Sequence, residues 1–375
     1  MLNIIKEVPD YRRLSFGNVR HKGQDILWLN IIGTLSGHST RASKILFAQQ
    51  NLRKFQSMGM LPNGVPSEAT LCRFDKGLDP VEFAKTLEKM ADRLLPKRKG
   101  KGLKVISVDG KCMRGTVLEN GRCPDVVSAY SASDRATLAT EMCEEKSNEI
   151  KAVPKLIDKL DVDFGNCVIT ADAMACQKNI VDKIREKGGH FLIEVKGNQK
   201  TLRWNIEDNV LKSKCIDMFR DDAKLSNGRI ESRACGVYNG DDVIADKTKW
   251  GEQLRVLKIC TTTTDKKTGR EVSEKRFYMT DLTCKAKILN SLSRTHWSIE
   301  SMHWVLDTVY HQDRIKRKEK NAARNLDTVQ RFCLSIIAVW KSIRKKKSDK
   351  EVGVTRLTDK FRSDFCYLRR FLSLK

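Results

Sequence analysis

The sequence predicts an α/β fold: a mixed sheet laid down in the order β-β-β-α-β-α-β and followed by helix, with a β-rich insertion and a mostly helical N-terminal region. Three observations predict it. Apolar residues recur at helical spacing through residues 1–95, and short β-branched runs alternate with helical stretches over residues 103–197. Three further apolar runs then punctuate the charged stretch 198–283.

In the first region Ile26, Leu27, Leu29, Ile31, Ile32 and Leu35, and later Phe83, Leu87, Met90, Leu94 and Leu95, mark helices. The turn PNGVPS at 62–67 interrupts them and leaves Ser67 placed to cap the next helix. Pro96–Gly102, PKRKGKG, combines helix breakers with four basic residues and marks a boundary. Beyond it KVISVDG, VVSAYSA and ATLATEM read as three successive strands. Then come a helix from Asn148 to Leu160, the strand NCVITAD, a helix from Gln177 to Lys187, a Gly188-Gly189 stop and the strand HFLIEV. A meander followed by strand-helix alternation makes a mixed sheet covered by helices. Residues 198–283 hold IESRACGVY, QLRVLKICT and RFYMTDL between charged loops such as TTDKKTGREVSEK, an insertion expected to project from the core. Residues 284–375 return to helix.

Seventy-one Lys and Arg against 47 Asp and Glu leave +24, a surplus that repels itself unless the surface meets a polyanion, so nucleic acid is the expected partner. The segment His311–Lys350 alone carries 13 basic residues against four acidic ones. No membrane association is expected, because the apolar stretch Ile26–Gly37 is interrupted by Asn30, Gly33 and Thr34 and falls short of the roughly 20 apolar residues that span a bilayer. Glu7 and Asp10 stand where a signal peptide needs an unbroken apolar run, so a cytoplasmic location is expected. The 12 cysteines include no Cys-x-x-Cys pair and read as reduced thiols, not as a disulfide framework or a zinc ribbon.

Asp109 and Asp172 each end a predicted strand and are followed at once by a small residue, Gly110 or Ala173. Strand ends of an open sheet face the crevice where ligands bind, and carboxylates at two neighbouring tips can share Mg2+ or Mn2+, whose other positions take water and phosphate oxygens. That chemistry is phosphoryl transfer. A third acid is needed to hold a metal pair, and Glu300 is the candidate. In SRTHWSIESMHWVLD, His296, Glu300, His303 and Asp307 recur at four, three and four residues, which puts all four on one helical face. The same pattern also describes a solvated face with satisfied histidines, and an Asp after a strand also serves simply to cap a turn. Zinc hydrolysis fits less well, because a His-Glu-x-x-His site needs histidines four apart, whereas His296 and His303 are seven apart.

Several cations are placed to meet phosphates: Lys111 and Arg114 in DGKCMRG, Lys196 in VKGNQ together with Gln199, and Arg294, which is alternatively a partner for Glu300. Solvated charge is the plainer account of each. Arg314, Lys316, Arg317 and Lys318 belong to RIKRKEK, five basic residues in seven, and are expected to grip DNA phosphates. Aromatic residues are sparse, so base stacking is not expected to carry binding.

VPDYRR, RHKGQDILWLNIIGTLSG, GVPSEATLCRFDKGLDPVEF, ISVDGKCMRG, EEKSNEIKAVPKLIDKLD, VITADAMACQKNIVDKI, VKGNQKTL, NGRIESR and THWSIESMHWVLD follow one another over roughly residues 5–370. In that order they resemble the DDE transposases of bacterial insertion sequences, in the branch that includes the H-repeat-associated proteins found near Rhs elements. The resemblance implies an RNase H-like catalytic core interrupted by a β-rich insertion. It also implies Asp109, Asp172 and Glu300 as catalytic acids holding Mg2+ or Mn2+, and metal-dependent cleavage at element ends followed by strand transfer into target. Double-stranded DNA is then the partner, a homodimer forms in the DNA complex, and residues 1–95 read the element ends. Three positions depart from the family's pattern: Ser301 where Asn commonly follows the Glu, Asn227 where His precedes Gly-Arg-Ile-Glu, and Gln312 where Glu precedes Asp313. The rival readings are a decayed or domesticated copy that only binds DNA, and a stand-alone metal-dependent nuclease.

Overall fold

The computed structural model describes residues 4–94, 102–143, 149–226 and 229–373. The N-terminal helices are α1 (Gly23–Leu35), α2 (Arg41–Gln50), α3 (Leu52–Gln56), α4 (Glu68–Gly77) and α5 (Pro80–Leu94). Ser67 caps α4 by accepting from the Thr70 N–H, as the sequence predicts, and Thr40 and Ser43, which sequence reading did not single out, form a reciprocal capping box on α2. Ile26, Leu29, Ile31, Ile32 and Leu35 of α1 are completely buried, so this helix is central to its bundle.

The strands are β1 (Lys104–Cys112), β2 (Asp125–Ser131), β3 (Ala136–Cys143), β4 (Cys167–Ala171), β5 (His190–Val195), β6 (Cys215–Ser226), β7 (Arg229–Asn239), β8 (Arg255–Asp265) and β9 (Glu271–Thr280). They form one nine-stranded mixed sheet in the order β3-β2-β1-β4-β5-β9-β8-β7-β6. β1 runs antiparallel to β2 and parallel to β4, and β5 is parallel to β4. Helices α6 (Glu149–Lys159) and α7 (Lys178–Glu186) cover the face that carries Ile106, Val108, Ile169 and Ile193. Helix α11 (Ala286–His296) covers the opposite face, with Val105, Val168 and Leu192. This alternation is the two-residue period of a strand buried on both sides.

The stretch 198–283 differs from its expected outline. It opens with a helix, α8 (Lys200–Lys212), which buries Leu202, Ile206 and Val210, and it adds a strand, β6, that sequence reading missed. Two single-turn helices, α9 (Gly240–Val243) and α10 (Lys247–Trp250), link β7 to β8. The strands continue the central sheet instead of standing apart, because β9 pairs with β5 from Leu192↔Thr280 to Val195↔Phe277. Most of the predicted loop TTDKKTGREVSEK is strand. β8 runs to Asp265, β9 starts at Glu271, and Glu271–Lys275 are exposed on both faces, which leaves no apolar alternation to read.

The C-terminal helices are α12 (Ser298–Thr308), α13 (Lys320–Ser342), α14 (Lys347–Glu351), α15 (Val354–Ser363) and α16 (Phe365–Leu372). Ile299, Leu306, Ile336, Phe361 and Phe371 join α1, Phe55, Phe74 and Met90 in one apolar cluster, so the first and last helices share a core. Removing residues 1–95 would expose the C-terminal half of that core, and end recognition is therefore better tested by point substitution.

Two buried polar contacts tie these layers together. Asp327 takes both carboxylate oxygens to Arg331 Nε at 2.8 Å and accepts from Gln312 Nε2 at 2.8 Å. A Glu at 312 would set a second carboxylate against Asp327 with no proton to donate, which accounts for the amide. Glu88 of α5 lies against β3, accepting from Thr140 Oγ1 at 3.1 Å, and burial pushes its carboxyl up to about 7. A carboxyl raised in the folded state stabilises the fold below its unfolded value of 4.5 and loses that contribution as pH rises through about 7. Glu88→Gln should therefore flatten the stability profile between those pH values and gain up to about 3 kcal/mol at pH 8, read by urea unfolding. An unchanged profile would assign the titration elsewhere.

Candidate active site

Parallel pairing of β1 and β4 ends at Val108↔Ala171, so the next residues, Asp109 and Asp172, stand level on adjacent strands. Strand alternation sends both toward the side covered by α11 and α12. Asp109 does not end its strand as predicted, since β1 continues to Cys112 on β2 alone. Asp172 does leave its strand, and it caps a short 3-10 turn by accepting from the Met174 N–H at 3.1 Å.

The predicted single helix across His296–Asp307 breaks at Trp297, leaving His296 as the last residue of α11. His296 Nδ1 lies 3.1 Å from Thr170 Oγ1 on β4. Glu300, His303 and Asp307 share the stripe of α12 that faces β1. His303 Nδ1 stands 3.5 Å from Asp109 Oδ2, and one turn on Asp307 is 2.7 Å from Lys111 Nζ. Residues 109 and 111 of the strand are thus met by 303 and 307 of the helix, and Glu300 begins the same stripe.

Burial, then the nearby Asp109, raises the carboxyl groups of both Asp172 and Glu300. Lys196 opposes this in both, and Arg276 of β9 opposes it in Glu300. Burial lowers both histidines, so each is held neutral. The arrangement is three mutually repelling acids beside neutral imidazoles, an environment that favours a bound cation.

The predicted cations separate. Lys196 stands at the acids, 3.0 Å from Glu194. Arg114, Arg314, Lys316 and Lys318 are exposed. Lys111 is not free for phosphate: it is buried between Asp307 and Asp313, 3.0 Å from the latter. Arg294 pairs with Glu231 and Asp221 of the β6–β7 ribbon, not with Glu300. Arg317 is buried too, its N–H donating to the Gly115 carbonyl at 3.1 Å, so the expectation of a phosphate contact is corrected there. The tight approach explains Gly115, where a Cβ would come within 2.5 Å of the Ile315 carbonyl. Gln199 donates to the Cys176 carbonyl at 2.8 Å and braces a loop. Asn227 lies outside the described residues.

Residues 100–336, from the approach to β1 well into α13, match the family described as "Transposase DDE domain". The chain belongs to the DDE transposase family. Residues 2–91 match the companion family described as "DDE_Tnp_1-associated", which spans the N-terminal helices up to α5. "Putative transposase YncI" of Escherichia coli O157:H7 is 30% identical over 382 residues, covering 100% of this chain and 94% of its own length. "H repeat-associated putative transposase YhhI" of E. coli strain K12 is 29% identical and covers 93% of this chain and 94% of its own.

Asp109, Asp172 and Glu300 offer carboxylate oxygens, the donor type that suits a hard divalent ion. Among the described residues no three His, Cys, Asp or Glu side chains are gathered tightly enough to hold an ion as they stand. Sequence reading missed Arg276, whose guanidinium lies 4.4 Å from the Trp297 ring centre, and Glu149, which lines one cleft with Asp109 and Asp172. Neither carried a spacing signal. No helix among the described residues is long and apolar enough to cross a membrane.

Proposed function

We propose that this transposase cuts double-stranded DNA at the ends of an insertion sequence and joins the freed 3′-hydroxyl to target DNA. Both steps are in-line phosphodiester transfers at a site formed by Asp109, Asp172 and Glu300. What supports the reading is that the β1–β4 register sets Asp109 level with Asp172, while α12 meets Asp109 through His303 and leaves Glu300 close enough to feel both acids. Five of the nine strands, β3-β2-β1-β4-β5, are then an RNase H-like core, and the remaining four are its insertion. Mg2+ or Mn2+ bound by the three acids supplies charge neutralisation at the phosphate and an activated attacking oxygen.

The protein's own groups have distinct parts. Lys196 faces the acids from the end of β5 and meets the phosphate from the opposite side. His303, neutral and against Asp109, orients that carboxylate toward the cleft. Lys111, clamped by Asp307 and Asp313, fixes the distance from β1 to α12 and hence from Asp109 to Glu300. A cytoplasmic protein acting as a homodimer across two element ends accords with this scheme.

Phosphate contacts outside the site fall to the exposed segment that follows α12. Replacing Arg314, Lys316 and Lys318 together with Ala should reduce the slope of log affinity against log salt by about 2 to 3, at roughly 0.9 per contact, with sequence preference unchanged. Arg317→Ala should leave the slope alone and lower the melting temperature, because that side chain is buried. An unchanged slope in the triple variant would remove this segment from the DNA interface.

A further inference from the structure

Glu149 lies in the first turn of α6, on the face of the sheet opposite α12, and its carboxyl group reaches Gly110, next to Asp109 on β1. A Cβ built on Gly110 would fall 2.6 Å from Glu149 Oε1 and 2.9 Å from its Cδ, so the Glu149 carboxyl lies against this strand only because residue 110 has no side chain. Glu149, Asp109 and Asp172 line one narrow cleft of about 20 Å³, walled by Val108, Val127 and Ala175. That is room for one water-sized body. Asp125, Asp109 and Asp172 each set a like charge near the Glu149 carboxylate.

We propose that Glu149 is a fourth carboxylate of the metal site, reaching the divalent cation held by Asp109 and Asp172 either directly or through one water. The inference rests on the function proposed above and adds a ligand that the three-acid scheme lacks. A glutamine would fill the same volume without meeting three other negative charges, so the carboxylate gains nothing here except toward a cation. Placement in the first turn of a helix offsets a little of that repulsion, and it would do so without any metal.

Thermal unfolding of the full chain across a micromolar-to-millimolar Mn2+ series, with free Mn2+ followed by its electron paramagnetic resonance signal, separates these accounts. Glu149→Gln should weaken Mn2+ binding by about tenfold or more. In EDTA it should melt no lower than the unaltered protein, since a repelled charge is gone. Gly110→Ala supplies an independent variant. Position 110 has no left-handed backbone, so Ala fits the strand and only the flexible end of Glu149 has to swing out of the cleft. It should weaken Mn2+ binding while keeping every carboxylate. If both variants keep full Mn2+ affinity while Asp109→Asn and Asp172→Asn lose it, Glu149 is outside the site and the three-acid reading stands. If Mn2+ neither stabilises nor binds the unaltered protein, the metal site itself fails and this inference with it.

Discussion

Asp109→Asn, Asp172→Asn and Glu300→Gln should each reduce cleavage of a DNA end by about 10³-fold or more, equivalent to roughly 4 kcal/mol of transition-state stabilisation. Each exchange keeps the side-chain volume and removes one negative oxygen from the cluster. DNA binding in a mobility-shift assay should be equal or tighter, because a charge that repels phosphate has gone. EDTA should silence the unaltered protein to the same degree. Burial and Asp109 make Asp172 and Glu300 hold protons more readily than free carboxylates do, so cation and proton compete for the same oxygens. The acid limb of the pH–rate profile should accordingly move to lower pH as Mg2+ is raised. Cleavage within tenfold of normal in any one amide variant would exclude that residue from the reaction, and a DNA binder without catalysis would tolerate all three.

The largest stability loss is expected at the other end of the α12–α13 connection. Asp327 and Arg331 are both almost wholly inaccessible, and Asp327 holds Gln312 as well. Asp327→Ala leaves a guanidinium buried without its counter-charge and takes from the Gln312 amide one of its two acceptors, the other being Gln330. Losses from breaking such pairs run to about 3–5 kcal/mol, to be read as a fall in the urea midpoint. Asp327→Asn, which keeps an acceptor, should lose less. A midpoint within error of the unaltered protein for the Ala variant would mean that Arg331 finds another partner or water.

Much of this architecture is legible in the residues. The strands β1 to β5 and their helices emerge from alternation and helical spacing, because each is buried on one or both faces and must be apolar at those positions. The same rule accounts for α8, whose Leu202, Ile206 and Val210 recur every four residues and would have identified it. It also explains why the outer ends of β8 and β9 were illegible. They are held by backbone pairing while their Thr, Lys and Glu side chains stay in water, so no periodicity is imposed on them.

Asp109 and Asp172 could be found because an apolar run closed by an acid and a small residue is a recognisable sequence, although only Asp172 lies at a strand end and Asp109 lies where pairing with β4 stops. The fate of the cations could not. Lys111 and Lys196 look alike in sequence, yet one is buried between two aspartates brought from residues 307 and 313 and the other stays at the edge. Within RIKRKEK, Arg317 turns inward where its neighbours do not, because its backbone bridges to Thr116 and carries the side chain under the surface. Those outcomes depend on long-range pairing, which a local charge pattern does not encode.

The core shared by the first and last helices sets a delay during synthesis. Residues up to Leu94 leave the ribosome well before their partners, which lie between Ile299 and Leu372. The interval is 372 − 94 = 278 residues, roughly 14 to 56 s at 5–20 residues per second. For that time the apolar sides of α1, α4 and α5 have no permanent cover, and a nascent chain in this state is a natural client for a ribosome-associated chaperone. A messenger truncated anywhere before α15 would release a chain that never closes its core. Decay of such a gene by nonsense or frameshift mutation should therefore yield material for proteolysis, and no surviving DNA-binding fragment to compete with intact copies.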